Sequence, residues 1–180
     1  MADEMDITAR LSLAQWHLTR SDQLRLGLIG RAGGILSANA LVITGVVLIS
    51  GFNSSPISPI IGALTLVSLA ATTYSTISAI GVFTGSRFIP EVSIGYEDRI
   101  PIAFSYSDTI SKISSAKDFH HTFTTQTTAE ILDAAALELW RCICVHHART
   151  KKLGSATRWM LISAATLIAA AAARIFLGIF

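Results

Sequence analysis

The chain has 180 residues, 51% of them hydrophobic and 14% charged, and a formal net charge of +2. That length allows one domain, or a membrane part with a small soluble part. The charge is too small to argue for a nucleic-acid partner, and the composition lies well towards the apolar side of ordinary soluble domains.

Residues 1–6 read as an acidic, disordered tail. From Ile7 a helical period begins, with Ile7, Leu11, Ala14, Leu18, Ser21, Arg25 and Leu28 spaced in alternating steps of four and three. The absence of an apolar run in residues 1–31 argues against a signal peptide. No proline occurs before Pro56, so the helix is free to continue towards residue 50. Gly30, Gly34 and Ala38 form a small-residue stripe suited to close helix packing.

Residues 32–86 are fifty-five consecutive positions without Asp, Glu, Lys, Arg or His. A bilayer core of about 30 Å takes roughly 20 apolar residues, so the run suits two crossings with a turn between them. Gly51, Asn53, Pro56 and Pro59 mark that turn. The spacing predicts a membrane hairpin, 32–50 and 60–83. Its second arm carries Thr72, Thr73, Tyr74, Ser75, Thr76 and Ser78, which read either as polar packing glue or as a pore wall in an oligomer.

Residues 87–127 are punctuated by Pro90, Gly95 and Pro101 and read as an irregular loop with a short helix. Two weak strands, 92–96 and 102–106, are a further expectation there. From Thr128 the helical period returns through Ala129, Leu132, Ala136, Leu139, Ile143, His146 and Thr150. The run then enters 160–180, long enough for a third crossing, with Ala165, Ala169 and Ala173 as a second small-residue stripe. A third segment lying in the interface is the alternative.

Arg10, Arg20, Arg25 and Arg31 precede the first crossing, nine Lys or Arg lie in 87–158, and none lies in the turn. The positive-inside rule then puts the N-terminus and the middle segment in the cytoplasm and the turn outside. The expected fold is all-α: a helical membrane protein with about three transmembrane helices, a cytoplasmic helical stalk and a short irregular cytoplasmic loop. Its parts are a cytoplasmic N-terminal helix (1–31), a transmembrane hairpin (32–86), a cytoplasmic loop (87–127), a cytoplasmic helix (128–159) and a third transmembrane helix (160–180).

Chemistry-bearing motifs are few. Cys142, Cys144, His146 and His147 have metal-like spacings, but on a helix they spread around the circumference and do not converge, so no metal or other cofactor is expected. Phosphate-cradling glycine loops, nucleophile elbows and metalloprotease helices are missing, and no catalytic residue is nominated. Arg149, Lys151, Lys152 and Arg158 form a basic cluster that fixes topology and meets anionic membrane lipid. Arg20, Arg25 and Arg31 on the first helix, with Arg99, Lys112 and Tyr106 in the loop, combine guanidinium forks with an aromatic face. That combination suits a small anionic nucleotide, and solvated surface charge accounts for the same residues.

Ser21-Asp22-Gln23-Leu24-Arg25, Arg31-Ala32-Gly33 and Leu36-Ser37-Ala38-Asn39-Ala40-Leu41, leading into the first apolar run, resemble the opening motif of the Pycsar effector transmembrane family. Residues 100–105 and the helix from Thr128 into a last apolar segment resemble its second half. Where that family carries Lys-Ala after the Asp, Arg25-Leu26 stands here. The resemblance implies a bacterial inner-membrane antiphage effector, multi-pass with a cytoplasmic N-terminus. It would sense cCMP or cUMP made by a partner pyrimidine nucleotide cyclase and impair the membrane as a homo-oligomer. With Asp22 of that motif added to the guanidinium and aromatic groups above, the nominated ligand-binding residues are Asp22, Arg25, Arg31, Arg99, Tyr106 and Lys112. A SLATT-like effector answering another nucleotide and a non-defence structural membrane protein are the competing readings.

Overall fold

The computed structural model describes residues 2–51, 58–84, 113 and 115–176, with side chains from Ile7 onward. Four helices account for nearly all of them: α1 (Ala2–Gly51), α2 (Pro59–Phe83), α3 (Ala116–Thr125) and α4 (Thr128–Phe176). No strand occurs among the described residues. The expected strands at 92–96 and 102–106 lie outside them.

α1 runs 50 residues without a break. It begins at Ala2, so the acidic segment expected to be a disordered tail forms its first turns. Residues 2–6 contain neither Gly nor Pro, and nothing ends the helix earlier. α2 starts on Pro59, whose fixed φ suits a first helical turn and whose missing N–H is lost where no partner exists. Both remaining starts are capped by side chains. At α3 the Ser115 hydroxyl accepts from Asp118 N at 3.1 Å. At α4 the box is reciprocal: Thr127 N donates to Glu130 Oε2 at 2.8 Å, and Glu130 N donates to Thr127 Oγ1 at 3.3 Å.

Packing divides the chain into two compact units, one of Met1–Arg25 with Arg87–His147, the other of Leu26–Ser86 with Ala148–Phe180. In the first unit the expected stripe on α1 holds. Ala14 is buried, Ile7, Leu11, Leu18 and Ser21 are half-buried, and every residue between them from Thr8 to Arg20 is exposed. Arg25 is exposed. On α4 the expected seam is displaced, because Ala129, Ala136 and Ile143 are exposed while Ala134 and Ala135 are buried. Small alanines let a neighbouring backbone come close, and an exposed Ala129 or Ala136 forfeits little apolar area.

The second unit is a three-helix bundle. α1 buries Leu28, Ala32, Ile35, Asn39, Val42 and Val46; α2 buries Ile61, Thr65, Ser68, Thr72, Ser75, Ala79 and Val82, with Ala71 beside that line; α4 buries Leu153, Ala156, Ser163 and Ala170. Steps of four and three give a repeat of 3.5, the period of left-handed knobs-into-holes packing. Leu28, Ala32, Ile35, Ala79, Val82, Leu153 and Ala156 form one apolar cluster, with Leu36 and Met160 against it. A Cβ built on Gly45 would lie 2.8 Å from Leu167 Cδ2, so rising numbers on α1 follow rising numbers on α4. α2 runs against both.

Two of the three members of each small-residue stripe face away from the bundle contact, Ala38 and Ala173 being half-buried. Gly30 and Gly34 are exposed, with nothing within 4 Å of an added Cβ. Ala165 and Ala169 are exposed as well. The helices are turned by polar side chains instead: Asn39 and Ser163 need partners, and burying them against hydroxyls of α2 rotates the glycine and alanine stripes outward.

Candidate functional site

Three long helices carry segments apolar and long enough to cross a membrane by length and composition: Ile7–Gly51, Pro59–Phe83 and Thr128–Phe176. Within the bundle the polarity is reversed from that of a soluble domain. Leu41 (74%), Val47 (62%), Leu66 (68%), Ile77 (64%) and Ile168 (69%) are the exposed side chains, whereas Asn39, Ser68, Thr72, Ser75 and Ser163 are at most 2% exposed. A soluble bundle would place these groups the other way round.

The buried polar groups form two nodes. In the first, Asn39 Nδ2 donates to Ser75 Oγ and to Thr76 Oγ1, both at 3.0 Å. Ser75 Oγ donates onward to the Ala156 carbonyl at 2.9 Å. One side chain of α1, two of α2 and the backbone of α4 are thereby tied together. In the second, Ser68 Oγ donates to the Ser163 carbonyl at 3.0 Å and Ser163 Oγ to the Ser68 carbonyl at 2.8 Å. Thr72 Oγ1 meets Ser163 Oγ beside them. This supports the packing-glue reading of the hydroxyl-rich arm: Ser75, Thr72 and Thr76 bond inside the protein, while Thr73 and Tyr74 face outward.

A third tie lies near the end of α2. Lys152 Nζ donates to the Gly81 carbonyl at 3.2 Å. The cation meets a helix C-terminal turn, where carbonyls lack intrahelical partners. A Cβ on Gly81 would stand 3.1 Å from Lys152 Cδ, so the glycine leaves room for the lysine stem.

Of the six residues nominated as a nucleotide site, Asp22 and Arg25 are exposed on adjacent turns of α1 in the first unit. Arg31 is exposed on α1 in the second unit. Arg99, Tyr106 and Lys112 lie outside the described residues. The nearby Arg20 guanidinium sits 5.1 Å from the centroid of the Trp16 ring, which is also edge-on to His17 at 4.8 Å. Trp16 was not singled out from the sequence; its place four residues before Arg20, one helical turn, is the signal that finds it.

Cys142 and Cys144 are not joined in a disulfide and are half-buried on α4. Cys142 Sγ lies 4.0 Å from Glu138 Oε1, and Glu138 also faces Arg141 at 3.7 Å. Among the described residues no three of His, Cys, Asp and Glu converge to hold a metal ion.

The fold and its reversed polarity thus define an all-helical chain with three helices suited to a bilayer and hydrogen bonds gathered at the helix contacts. Compared with protein-family models, curated proteins and solved structures, the chain matches none.

Proposed function

We propose that the chain is an integral membrane protein whose second unit crosses a bilayer three times. The observation that carries this is the reversed polarity of the bundle, with Leu41, Leu66 and Ile168 outward and Asn39, Ser75 and Ser163 inward. Lipid tails solvate the first set, and hydrocarbon compels the second to find partners inside. Lengths agree. α2 is 25 residues, about 37 Å at 1.5 Å per residue, against roughly 30 Å of hydrocarbon. Basic residues before the first crossing and between the second and third, and none in the turn, favour a cytoplasmic N-terminus.

The activity we propose is that of a non-enzymatic defence effector at the bacterial inner membrane. It responds to a cyclic pyrimidine nucleotide, cCMP or cUMP, supplied by a partner cyclase, and impairs the membrane as a homo-oligomer. Support comes from the motif running from Ser21 through Leu41. Asp22 and Arg25, with Arg31, Arg99, Tyr106 and Lys112, are the groups we nominate for the nucleotide: guanidiniums for the phosphate, the phenol ring for the base.

Two measurements test the reading. Membranes from expressing cells washed with alkaline carbonate should retain the chain; release into the wash would remove the crossing. Equilibrium binding of cCMP and cUMP to the full chain in mild detergent should saturate for one of them, and Arg25→Ala should weaken it at least tenfold. Failure of both nucleotides to saturate would sink the effector reading while leaving the membrane reading standing.

A further inference from the structure

The second unit has no Asp or Glu anywhere in residues 26–86 or 148–180, yet it carries Arg31, Arg149, Lys151, Lys152, Arg158 and Arg174. Asp and Glu side chains within the unit therefore supply none of the opposite charge. Two of these cations have a particular setting. Lys151 and Arg158 are exposed on α4, seven residues apart, which puts them on one side of the helix about 10.5 Å apart along its axis. Ser155 lies between them on the same side, half-buried.

Next to Arg158, Trp159 reaches α2, its ring centroid 5.1 Å from that of Tyr74. Both rings remain open at the surface, Tyr74 at 51% and Trp159 at 36% exposure. Past Arg158 the same side of α4 continues with Ile162, Ala165 and Ala169, all exposed and all apolar. Read along the helix, the surface runs cation, hydroxyl, cation, aromatic pair, then bare hydrocarbon.

That is the order of groups a phospholipid presents to a protein: phosphate, glycerol ester, acyl chain. We propose that this side of α4 seats one anionic phospholipid. Its phosphate lies between Lys151 and Arg158, its ester region against the Tyr74–Trp159 pair, and one acyl chain along Ile162, Ala165 and Ala169. The proposal rests on the membrane-crossing reading. Two cations without a carboxylate in the unit select a lipid of net negative charge over a zwitterionic one, whose choline would bring a further positive charge to the same place. The apolar track selects a lipid over free phosphate, which has no use for it. Amphipathic rings at the boundary between headgroup and hydrocarbon are where Trp and Tyr settle in membrane proteins.

The test uses the full chain in lipid vesicles, with Trp159 as reporter. Trp16 and Trp140 are both exposed and both lie in the first unit, so Trp16→Phe/Trp140→Phe leaves a single tryptophan at the proposed seat. Quenching is measured with brominated phosphatidylglycerol and with brominated phosphatidylcholine at equal mole fraction. Phosphatidylglycerol should quench in excess, corresponding to roughly fivefold local enrichment per cation engaged. The excess should vanish in Lys151→Gln/Arg158→Gln and return in Lys151→Arg/Arg158→Lys, which also controls for folding. Equal quenching by the two lipids, or an excess that persists in the Gln variant, would overturn the proposal. Loss of the excess on adding inorganic phosphate at constant ionic strength would overturn it in favour of a simple anion site. Quenching by neither lipid would overturn the membrane-crossing reading itself.

Discussion

Asn39 is one of only two carboxamides between residues 32 and 86, the other being Asn53 in the turn. Its side chain is 2% exposed, and its amide is satisfied by Ser75 and Thr76. Removing it leaves two hydroxyls of α2 without their donor in an apolar setting. Asn39→Ala should cost about 1–2 kcal/mol, the upper part of the range for hydrogen bonds between helices in a bilayer, read as a shifted midpoint in reversible detergent unfolding. Ser75→Ala should cost a similar amount, and the double variant less than the sum, because the two residues share one node. The glycines give a contrast of sign. Gly34 is open on its surface, so Gly34→Ala should stabilise by about 0.5–1 kcal/mol through helix propensity alone. Gly45 faces Leu167, which must change rotamer to admit a methyl group. Gly45→Ala should therefore fall short of the Gly34→Ala gain in the same unfolding assay, and equal gains would remove the close approach of α1 to α4.

At the scale of elements, continuity and period were legible in the sequence, and rotation was not. The run from Ile7 lacks proline and repeats in fours and threes, which is why α1 was readable as one long helix with Ile7, Leu11, Ala14, Leu18 and Ser21 inward. The same step carries on through Leu28, Ala32, Ile35, Asn39, Val42 and Val46. There the small-residue stripe Gly30, Gly34 and Ala38 offered a second solution at the same period, and composition did not decide between them. Partners on α2 did, by satisfying Asn39; partners on α4 were chosen likewise through Ser163. The signal for a rotation of this kind is a lone amide or hydroxyl on one stripe facing a row of hydroxyls on another helix. Of the nominated nucleotide site, only the α1 residues are described, and Trp16 beside Arg20 lies off the stripe of Leu11, Ala14 and Leu18 that the period marks. The start of α4 offers a local test. Glu130→Ala removes the carboxylate that accepts from Thr127 N and Thr127 Oγ1. Amide protection over the first turn of α4 should fall by about 1 kcal/mol, with no change across the bundle, where Leu153, Ala156 and Ser163 are held by other contacts.

For the molecule as a whole, the proposed three-crossing arrangement takes its orientation from where the cations lie, and it yields a prediction independent of any ligand. The turn after α1 bears no Lys or Arg, whereas four precede the first crossing and nine fall between the second and third. Moving those cations across the membrane is the step that the insertion machinery resists. In a Cys142→Ser/Cys144→Ser background, Ser58→Cys sits just before α2, and Ser115→Cys is exposed at the start of α3. An impermeant maleimide added to intact bacterial spheroplasts should label the first and spare the second until the membrane is opened with detergent. The reverse pattern would invert the topology and carry the first unit outside, out of reach of a nucleotide made in the cytoplasm. Labelling of both without detergent would place α2 on one side of the bilayer, and the reversed polarity of Leu66 and Ile77 against Ser68 and Ser75 would then need a partner other than lipid.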